Sequence, residues 1–461
     1  MIDVVTIETP SLGDRSYLVT DGTVAVVVDP QRDTDRVTAL ASQRGLRITH
    51  VLETHIHNDY VTGGYALARE VGAQYCVNAE DEVTFERTPV RDGDEFRTGD
   101  LIVRVLATPG HTFTHVSYAV ALASSSAGDA EQDTVVFTGG SLLYGSTGRP
   151  DLLGAEHAEA LARRQHASAH RLVEQLSDET AIYPTHGFGS FCAATPTSGD
   201  SATIGSQRTD NPALTQGVDE WVEATLAALT EHPAYYAHMG PANAAGPAPV
   251  DLSHPVPVDA ADLRRRVEAG EWVVDLRERT AYAAAHVRGT VNFGQDGSFI
   301  TYLGWLIPWE TPVTLLAGTA EDVEQAQRDL ARIGIDRPAG AATGTVEDWA
   351  DGDQPASFDL VDFADLAARR RDGQDPLVLD VRRDDERAGG YVAGSQHIPL
   401  HGLLDRLDEV PSDKPVLVHC ASGYRASIAA GVLDRAGVDV VLINDSFDNA
   451  ATAGLDIEMD A

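Results

Sequence analysis

The sequence has few cations and few cysteines. Its 34 lysine and arginine residues include a single lysine, Lys414, and face 71 aspartate and glutamate residues, which gives a net charge of -37 at pH 7. A chain this acidic repels phosphate backbones and anionic lipid surfaces, so we expect neither nucleic acid nor a membrane as a partner. Three cysteines, Cys76, Cys192 and Cys420, are too few and too far apart for a disulfide framework. Reduced thiols are the expectation.

Long apolar runs are also missing. No stretch approaches the roughly 18 apolar residues that a membrane span needs, and the first residues lack both the basic start and the apolar run of a secretion signal. We therefore expect a cytoplasmic protein, for which a homo-oligomeric state stays open. With 461 residues, of which 43% are hydrophobic, the chain is long enough for about three globular domains.

The pattern of strands and linkers predicts an α/β multidomain protein. Short apolar strands alternate with turns in the first part of the chain, and a polar segment at 124–133 is predicted to be a loop. A stretch rich in proline and alanine that starts at Pro241 has no apolar periodicity and is predicted to be a linker. The predicted domains are 1–245, 256–350 and 356–461.

The second and third predicted domains repeat each other. Asp275 and Arg277 have the spacing of Asp380 and Arg382, and residues 312–336 align without a gap onto residues 415–439. The alignment places Ala317 where the later copy has Cys420. Of the two repeats, only the later one therefore has a cysteine at this position.

In the later repeat an apolar strand leads directly into Cys420, and a helix follows a short loop. Backbone N–H groups in such a loop, together with the N-terminus of the helix and Arg425, favour a thiolate at the cysteine. Four residues separate Cys420 from Arg425, one fewer than in cysteine phosphatases, which suits a single extra sulfur atom. The alternative is a small buried cysteine without reactivity. The four loop residues are the predicted substrate-binding groups: Ala421, Ser422, Gly423 and Tyr424.

The first domain has a cluster of metal-ligand residue types. His55, His57 and Asp59 occupy alternate positions after an apolar strand, so their side chains can converge on one point. His111 follows a second strand, and His186 lies on a later turn. These residues resemble the metal ligands of the metallo-β-lactamase superfamily, and the resemblance implies one divalent metal held by three neutral imidazoles, His55, His57 and His111, with Asp59 and His186 as further candidates.

Two tyrosines near the predicted metal site are candidates for substrate binding. Tyr60 directly follows the histidine motif, and Tyr144 lies in the segment VVFTGGSLLYG. Their hydroxyl groups could bond a substrate, although tyrosines at such positions are as often packing residues whose hydroxyl has a partner in the protein.

These motifs resemble two known families. The loop CASGYR and the upstream segment LDVR are similar to rhodaneses, in which the cysteine becomes a persulfide with sulfur from thiosulfate or a persulfide. The motifs THIHND, TPGHT and YPTHGFG resemble the metallo-β-lactamase superfamily, and within it the persulfide dioxygenase branch, which occurs fused to rhodanese domains. The resemblance implies a metallo-β-lactamase αββα sandwich followed by two rhodanese-like α/β domains with central parallel sheets.

The resemblance also implies an activity. In persulfide dioxygenases an Fe(II) ion held by two histidines and one aspartate oxidises a small thiol persulfide with O2. Here Tyr60 replaces the histidine that ends the family motif, and Gly140 replaces the metal-binding aspartate. Fe(II) is the expected metal, with Zn(II) as the alternative. A metal-free scaffold beside one active rhodanese and a thioester hydrolase of the glyoxalase II type remain alternative functions, of which the second normally needs two metal ions.

Overall fold

The computed structural model describes most of the chain in two compact units. The described residues are 2–123, 134–197, 199–295, 298–374 and 376–459. The predicted polar loop at 124–133 lies outside them. The first unit is Met1–Val250 with Ala331–Gly334, and the second is Asp251–Leu330 with Ile335–Ala461. Among the described residues, no helix combines the length and the apolar character needed to cross a bilayer.

Two six-stranded sheets form the first unit, and in both of them neighbouring strands follow the order of the chain. The first sheet consists of β1 Asp3–Thr9, β2 Asp14–Thr20, β3 Val24–Val28, β4 Arg47–Leu52, β5 Gln74–Asn78 and β6 Thr88–Val90. The second sheet consists of β7 Glu95–Thr98, β8 Leu101–Ala107, β9 Val116–Leu122, β10 Val135–Gly139, β11 Ala181–Pro184 and β12 Ala202–Thr203. The helices are α1 Asp35–Gln43, α2 Gly64–Val71, α3 Ala158–Gln175, α4 Ile204–Asp210, α5 Pro212–Thr215, α6 Val218–Ala228 and α7 Tyr236–Ala245, with a 3-10 helix at Ala155–His157.

The sheets pack face to face because both faces of their strands are apolar. In β3, Val26 and Val28 face the second sheet, whereas Ala25 and Val27 face the layer formed by α1 and α2. Helix α3 covers the outer face of the second sheet with residues such as Leu161 and Leu172. Strands covered on both faces lose the polar alternation of an exposed sheet. The predicted αββα sandwich is confirmed.

The predicted linker at Pro241 is partly wrong. Pro241 lies inside α7, which continues to Ala245. Asn243 of this helix donates from its side chain to the carbonyl oxygens of His57 and Tyr60, at 2.9 and 2.8 Å, and accepts from the Thr62 N–H at 2.9 Å. These buried bonds hold α7 against the loop that contains His57, Tyr60 and Thr62. They also stabilise the helix, which its proline and its low amphipathicity disfavour.

The second unit contains two central sheets. Around the first lie α8 Ala260–Glu268, β13 Trp272–Asp275, α9 Arg279–Ala284, β14 Val291–Asn292, α10 Phe299–Leu306, β15 Val313–Ala317, α11 Ala320–Arg332, β16 Gly340–Thr343 and α12 Val346–Ala350. Around the second lie β17 Asp359–Val361, α13 Phe363–Arg371, β18 Leu377–Asp380, α14 Asp384–Ala388, β19 Tyr391–Val392, β20 Gln396–His397, β21 Val416–His419, α15 Tyr424–Arg435, β22 Val440–Ile443, α16 Asn449–Thr452 and β23 Ile457–Glu458, with 3-10 helices at Leu400–Gly402 and Leu404–Glu409.

Both central sheets are parallel. The first has the strand order β14-β13-β15-β16 and the second β17-β22-β21-β18-β20, while β19 and β23 form a separate antiparallel pair. The carboxyl ends of parallel strands share one edge of a sheet, which is the usual place for a ligand. Cys420 lies at that edge, directly after β21.

Candidate metal centre and sulfur-transfer loop

The candidate metal ligands lie on loops that follow strands of the two sheets in the first unit. His55 follows β4, His111 follows β8, and His186 follows β11. Their three ligand nitrogens lie within 4.8 Å of one another, and each side chain is buried. The Nε2 atoms of His55 and His186 are 3.4 Å apart. Three imidazoles at this spacing can bind one divalent metal ion.

In His111 and His186, the Nδ1 atom contacts other groups of the protein, which leaves Nε2 as the atom that can bind a metal. The Nδ1–H of His111 donates to the carbonyl oxygen of Arg149 at 2.8 Å, so its Nε2 carries a lone pair, and that atom has no hydrogen-bond partner among the described residues. His186 Nδ1 lies 3.0 Å from an Asp14 oxygen and 3.1 Å from an Asp59 oxygen. Such outer partners fix the tautomer and orientation of metal-binding imidazoles. The donor set therefore fits a cation.

The loop after β21 holds the sulfur atom of Cys420 against the backbone N–H of Gly423. The Gly423 N–H donates to Cys420 Sγ at 3.1 Å, and α15 begins at the next residue. Gly423 has a φ of +96°, and a Cβ atom there would lie 2.3 Å from the Asn444 side-chain oxygen. Only glycine fits this turn. The donated bond and the N-terminus of α15 favour a sulfur anion at this position.

Two family models match the chain on either side of its middle. The metallo-beta-lactamase superfamily matches residues 14–186, and the rhodanese-like domain matches residues 363–453. The chain is a fusion of a metallo-beta-lactamase domain with a rhodanese-like domain. The matched residues do not include 256–350, so the rhodanese-like character of the middle repeat stays a prediction.

Relatives of the metallo-beta-lactamase domain include enzymes of two kinds. Human mitochondrial persulfide dioxygenase ETHE1 is 28% identical over 46% of this chain and 73% of its own length. The hydroxyacylglutathione hydrolase of Acidiphilium cryptum is 35% identical over 26% of this chain and 50% of its own length. A crystal structure of a metallo-beta-lactamase from Staphylococcus aureus, 26% identical, superposes with a TM-score of 0.66 and covers 75% of this chain and 99% of that chain. The predicted resemblance is confirmed.

In the metallo-beta-lactamase domain, His57 lies beside His55, with ring centres 4.1 Å apart, and it also contacts two carboxylates. Its Nε2 lies 3.2 Å from an oxygen of Asp29 and 3.2 Å from an oxygen of Glu53, and 3.0 Å from the Tyr60 hydroxyl. His55, His111 and His186 form one group of ligand atoms that could hold a metal ion, and His57, Asp59 and His186 form another. The assignment of ligands stays a prediction.

Protonation distinguishes the imidazoles of this domain. Burial, and after it the neighbouring His57, holds the pKa of His55 well below its usual value. Burial and then His186 lower the pKa of His111 from 6.5 to about 3. Burial opposes the charged form of His186 too, but the carboxylates of Asp59 and Asp14 outweigh it and hold its pKa well above the usual value. His55 and His111 are thus neutral, which is the form that binds metals.

Packing around His111 explains the missing aspartate. A Cβ atom on Gly140 would lie 2.3 Å from His111 Cδ2, and one on Gly148 would lie 2.6 Å from His111 Nδ1. The imidazole is therefore enclosed between two glycines. The N–H of Gly140 donates to His115 Nε2 at 3.0 Å. No space is left at position 140 for the carboxylate that the family uses.

The tyrosines predicted to bind substrate have partners within the protein. The Tyr60 hydroxyl contacts His57 and donates to the Asp29 carbonyl oxygen at 3.3 Å. The Tyr144 hydroxyl donates to the Ile182 carbonyl oxygen at 3.1 Å, and its ring lies in the apolar core between the second sheet and its helices. These contacts support packing roles, and substrate binding by either tyrosine remains an untested prediction.

In the rhodanese-like domain, Arg425 pairs with a carboxylate. Its guanidinium donates two bonds to Glu386, at 2.5 and 2.6 Å, and both side chains are largely buried. The sequence predicts that the positive charge of Arg425 stabilises the Cys420 sulfur, but Glu386 partly neutralises this charge. Of the other predicted loop residues, Ser422 is exposed, while the Ala421 carbonyl oxygen accepts from the Phe447 N–H at 2.9 Å. Arg382 and Asp380 form a buried ion pair at 2.7 Å.

In the middle repeat, the loop after β15 corresponds to the Cys420 loop and is followed by a carboxylate, Asp322. Asp322 stands where the later copy has Arg425, so the charge is inverted. An Asp322 oxygen accepts from the Thr319 N–H at 3.1 Å and from the Thr319 hydroxyl at 2.8 Å. These bonds, with the bond from the Asp322 N–H to the Thr319 hydroxyl oxygen, form a capping box at the start of α11. The middle repeat thus has neither the cysteine nor the arginine of the later one.

Several residues of the site were not recognised from the sequence. Asp29 and Glu53 each directly follow a buried strand, a position typical of site residues, and this signal could have identified both. His115 is visible as a second histidine in TPGHTFTH. Asp14 and Asn243 have no such signal, since only the fold brings them to the histidines.

Proposed function

We propose that this protein is an enzyme of sulfur metabolism with two activities. The metallo-beta-lactamase domain binds one divalent metal, Fe(II), and oxidises a small thiol persulfide with O2. The rhodanese-like domain transfers sulfane sulfur through Cys420 between thiosulfate or a persulfide and a thiol. The convergence of three imidazole nitrogens, one of them a buried atom without a partner, carries the first part of this proposal. The persulfide dioxygenase relatives supply the reaction class.

His55, His111 and His186 are the residues that would hold the metal. Fe(II), when bound, supplies the redox chemistry by which persulfide dioxygenases combine a persulfide, O2 and water into a thiol and sulfite. Asp14 and Asp59 orient His186 from behind and add negative charge near the cation. Burial of all three histidines excludes bulk water from the reacting groups.

Sulfur transfer at Cys420 needs no metal. The thiolate attacks the terminal sulfur of the donor, the donor's S–S or S–SO3 bond breaks, and a thiolate or sulfite leaves with the bonding electrons. Cys420 then carries a persulfide anion, which the Gly423 N–H and the N-terminus of α15 stabilise. A second thiolate takes the outer sulfur and restores the enzyme.

Metal analysis combined with an oxygen-electrode assay tests the proposal. Protein purified without chelators should contain about one iron per chain and should consume O2 when glutathione persulfide is added. His111→Ala should lose both the iron and the O2 uptake, whereas Cys420→Ser should keep both and lose sulfur transfer. An iron-loaded wild-type protein that consumes no O2 would disprove the dioxygenase activity.

A scaffold without metal is the second candidate function. Gly140 favours it, because the site lacks the carboxylate of the family and a neutral ligand set binds a cation less tightly. In that case the first domain would contain no metal after purification with iron or zinc present, while Cys420 would still transfer sulfur. Hydrolysis of lactoylglutathione by the loaded protein would instead support the thioester hydrolase, which the hydroxyacylglutathione hydrolase relatives suggest.

A further inference from the structure

A narrow pocket beside the Cys420 loop is lined by both repeats of the second unit. It is a small recess that is partly open to solvent. Tyr302 and Trp305 of α10 line one side, and Arg383, His401 and Arg425 line the other. The repeat without a cysteine therefore contributes aromatic side chains to the surroundings of the repeat that has one.

Tyr302 and Trp305 are held in place by residues of the later repeat. The Trp305 ring stacks on His401, with ring centres 5.0 Å apart and planes at 14°. The ring centre of Tyr302 lies 5.9 Å from the Arg425 guanidinium and 6.0 Å from the ring centre of Tyr424. Burial raises the pKa of the Tyr302 phenol, while the nearby guanidinium groups of Arg425 and Arg383 oppose this increase.

Hydrogen bonds fix the Cys420 loop and the start of α15 against the middle repeat. The Tyr424 hydroxyl donates to the Gly294 carbonyl oxygen at 2.7 Å, and the Ser427 hydroxyl donates to the Asn292 side-chain oxygen at 2.8 Å. One turn further along α15, a Cβ atom on Gly431 would lie 3.0 Å from Val291 Cα, so the helix approaches β14 closely. These contacts fix the distance between the aromatic pair and the sulfur loop.

The charges in this pocket already have partners. Arg425 binds Glu386 through two bonds, and Arg383 binds Asp385 at 2.9 and 3.0 Å. A small, strongly hydrated dianion such as thiosulfate would lose water on entering without gaining an uncommitted cation from either arginine. A thiol persulfide carries one negative charge at its terminal sulfur, and its organic part can lie against aromatic rings.

We propose that Tyr302 and Trp305, from the repeat that has no cysteine, form the wall that makes Cys420 select low-molecular-weight thiol persulfides over thiosulfate. The inference rests on the proposed sulfur-carrier role of Cys420. In the selected reaction the Cys420 thiolate attacks the terminal sulfur of RSS⁻, the S–S bond of the donor breaks, and RS⁻ leaves. No oxidant or reductant is consumed. The middle repeat thus determines the substrate although it cannot carry sulfur.

Single-turnover loading of Cys420 tests this inference. The rates with glutathione persulfide and with thiosulfate are measured by rapid quenching and mass spectrometry of the full chain, for wild type, Tyr302→Leu and Trp305→Leu. Each leucine variant should lower the ratio of the persulfide rate to the thiosulfate rate by about fivefold to tenfold, the effect of losing one aromatic contact. Tyr302→Phe and Trp305→Phe keep a ring and should retain most of the ratio.

Controls separate the inference from the function on which it rests. Leu360→Ala changes an exposed residue of β17 in the same unit and should leave the ratio unchanged. Thermal unfolding of each variant identifies any that fail to fold, and the phenylalanine variants then provide the comparison. Wild type that accepts sulfur from neither donor would disprove the carrier role itself. Wild type that is loaded normally, with a ratio that the leucine variants change by less than twofold, would overturn only the role of Tyr302 and Trp305.

Discussion

The Cδ2 atom of His111 lies 2.3 Å from the point where a Cβ atom on Gly140 would stand. This relationship means that the glycine and the orientation of the imidazole depend on each other. A carboxylate cannot be restored at position 140 without displacing a histidine that would hold the metal.

Gly140→Asp should therefore weaken metal binding, although it restores the residue type of the family. We expect at least about a tenfold loss of affinity for Co(II) or Zn(II) and a loss of stability of about 1–3 kcal/mol from overpacking. Titration followed by cobalt absorption measures the affinity. Gly140→Ala provides the control for volume alone, and tighter binding by the aspartate variant would show that His111 can move aside.

His57→Ala should destabilise the first unit more than it weakens metal binding. Removal of the imidazole leaves Asp29 and Glu53, two buried carboxylates, without their shared partner. Breaking a buried pair from one side costs about 3–5 kcal/mol. Urea unfolding at neutral pH measures this loss, and the comparison is His111→Ala, which removes a neutral imidazole with no carboxylate partner and should mainly lower the metal content. Equal metal loss in both variants with little change in stability would contradict this assignment.

The pair of Arg425 and Glu386 should make the rhodanese-like domain sensitive to acid. Burial alone would raise the pKa of Glu386, but Arg425 outweighs it and holds this pKa below 4.5. A lowered folded-state pKa gives stability that is present above the unfolded value of 4.5 and is lost as pH falls through the folded value. Glu386→Gln should therefore be less stable than wild type at pH 7, and the difference should shrink below about pH 4.5. Unfolding of both proteins across this pH range measures the difference, which would stay constant if the pair contributed nothing.

Ala317→Cys should fail to turn the middle repeat into a sulfur carrier. Asp322 stands at the position of Arg425, and its negative charge disfavours a persulfide anion nearby. In a Cys420→Ser background, we expect no mass increase of one sulfur atom at position 317 after incubation with glutathione persulfide. The same experiment with Asp322→Ala added tests the cause, because it removes this negative charge. Sulfur loading of the single Ala317→Cys change would refute the blocking role of Asp322.

Local sequence patterns predicted much of the fold because their chemistry is periodic or tied to a turn. Strand β3 is a continuous run of small apolar residues, and both of its faces are covered as such a run requires. The Cys420 loop was recognised because a strand, a cysteine, a glycine and a helix follow one another directly. The linker predicted from Pro241 was wrong at this residue, because the buried hydrogen bonds of Asn243 outweigh the cost of a proline inside a helix.

The sequence, through its motifs and the families they resemble, predicted the αββα sandwich, the loop around Cys420 and the kinds of residue in the candidate metal site. Only the tertiary structure decided which of them meet. It turned His57 toward Asp29 and Glu53, brought His186 to His55 and His111, and placed Tyr302 beside the Cys420 loop. The physical reason is that spacing along the chain fixes the direction of neighbouring side chains, whereas contacts between distant segments depend on how whole sheets and helices pack.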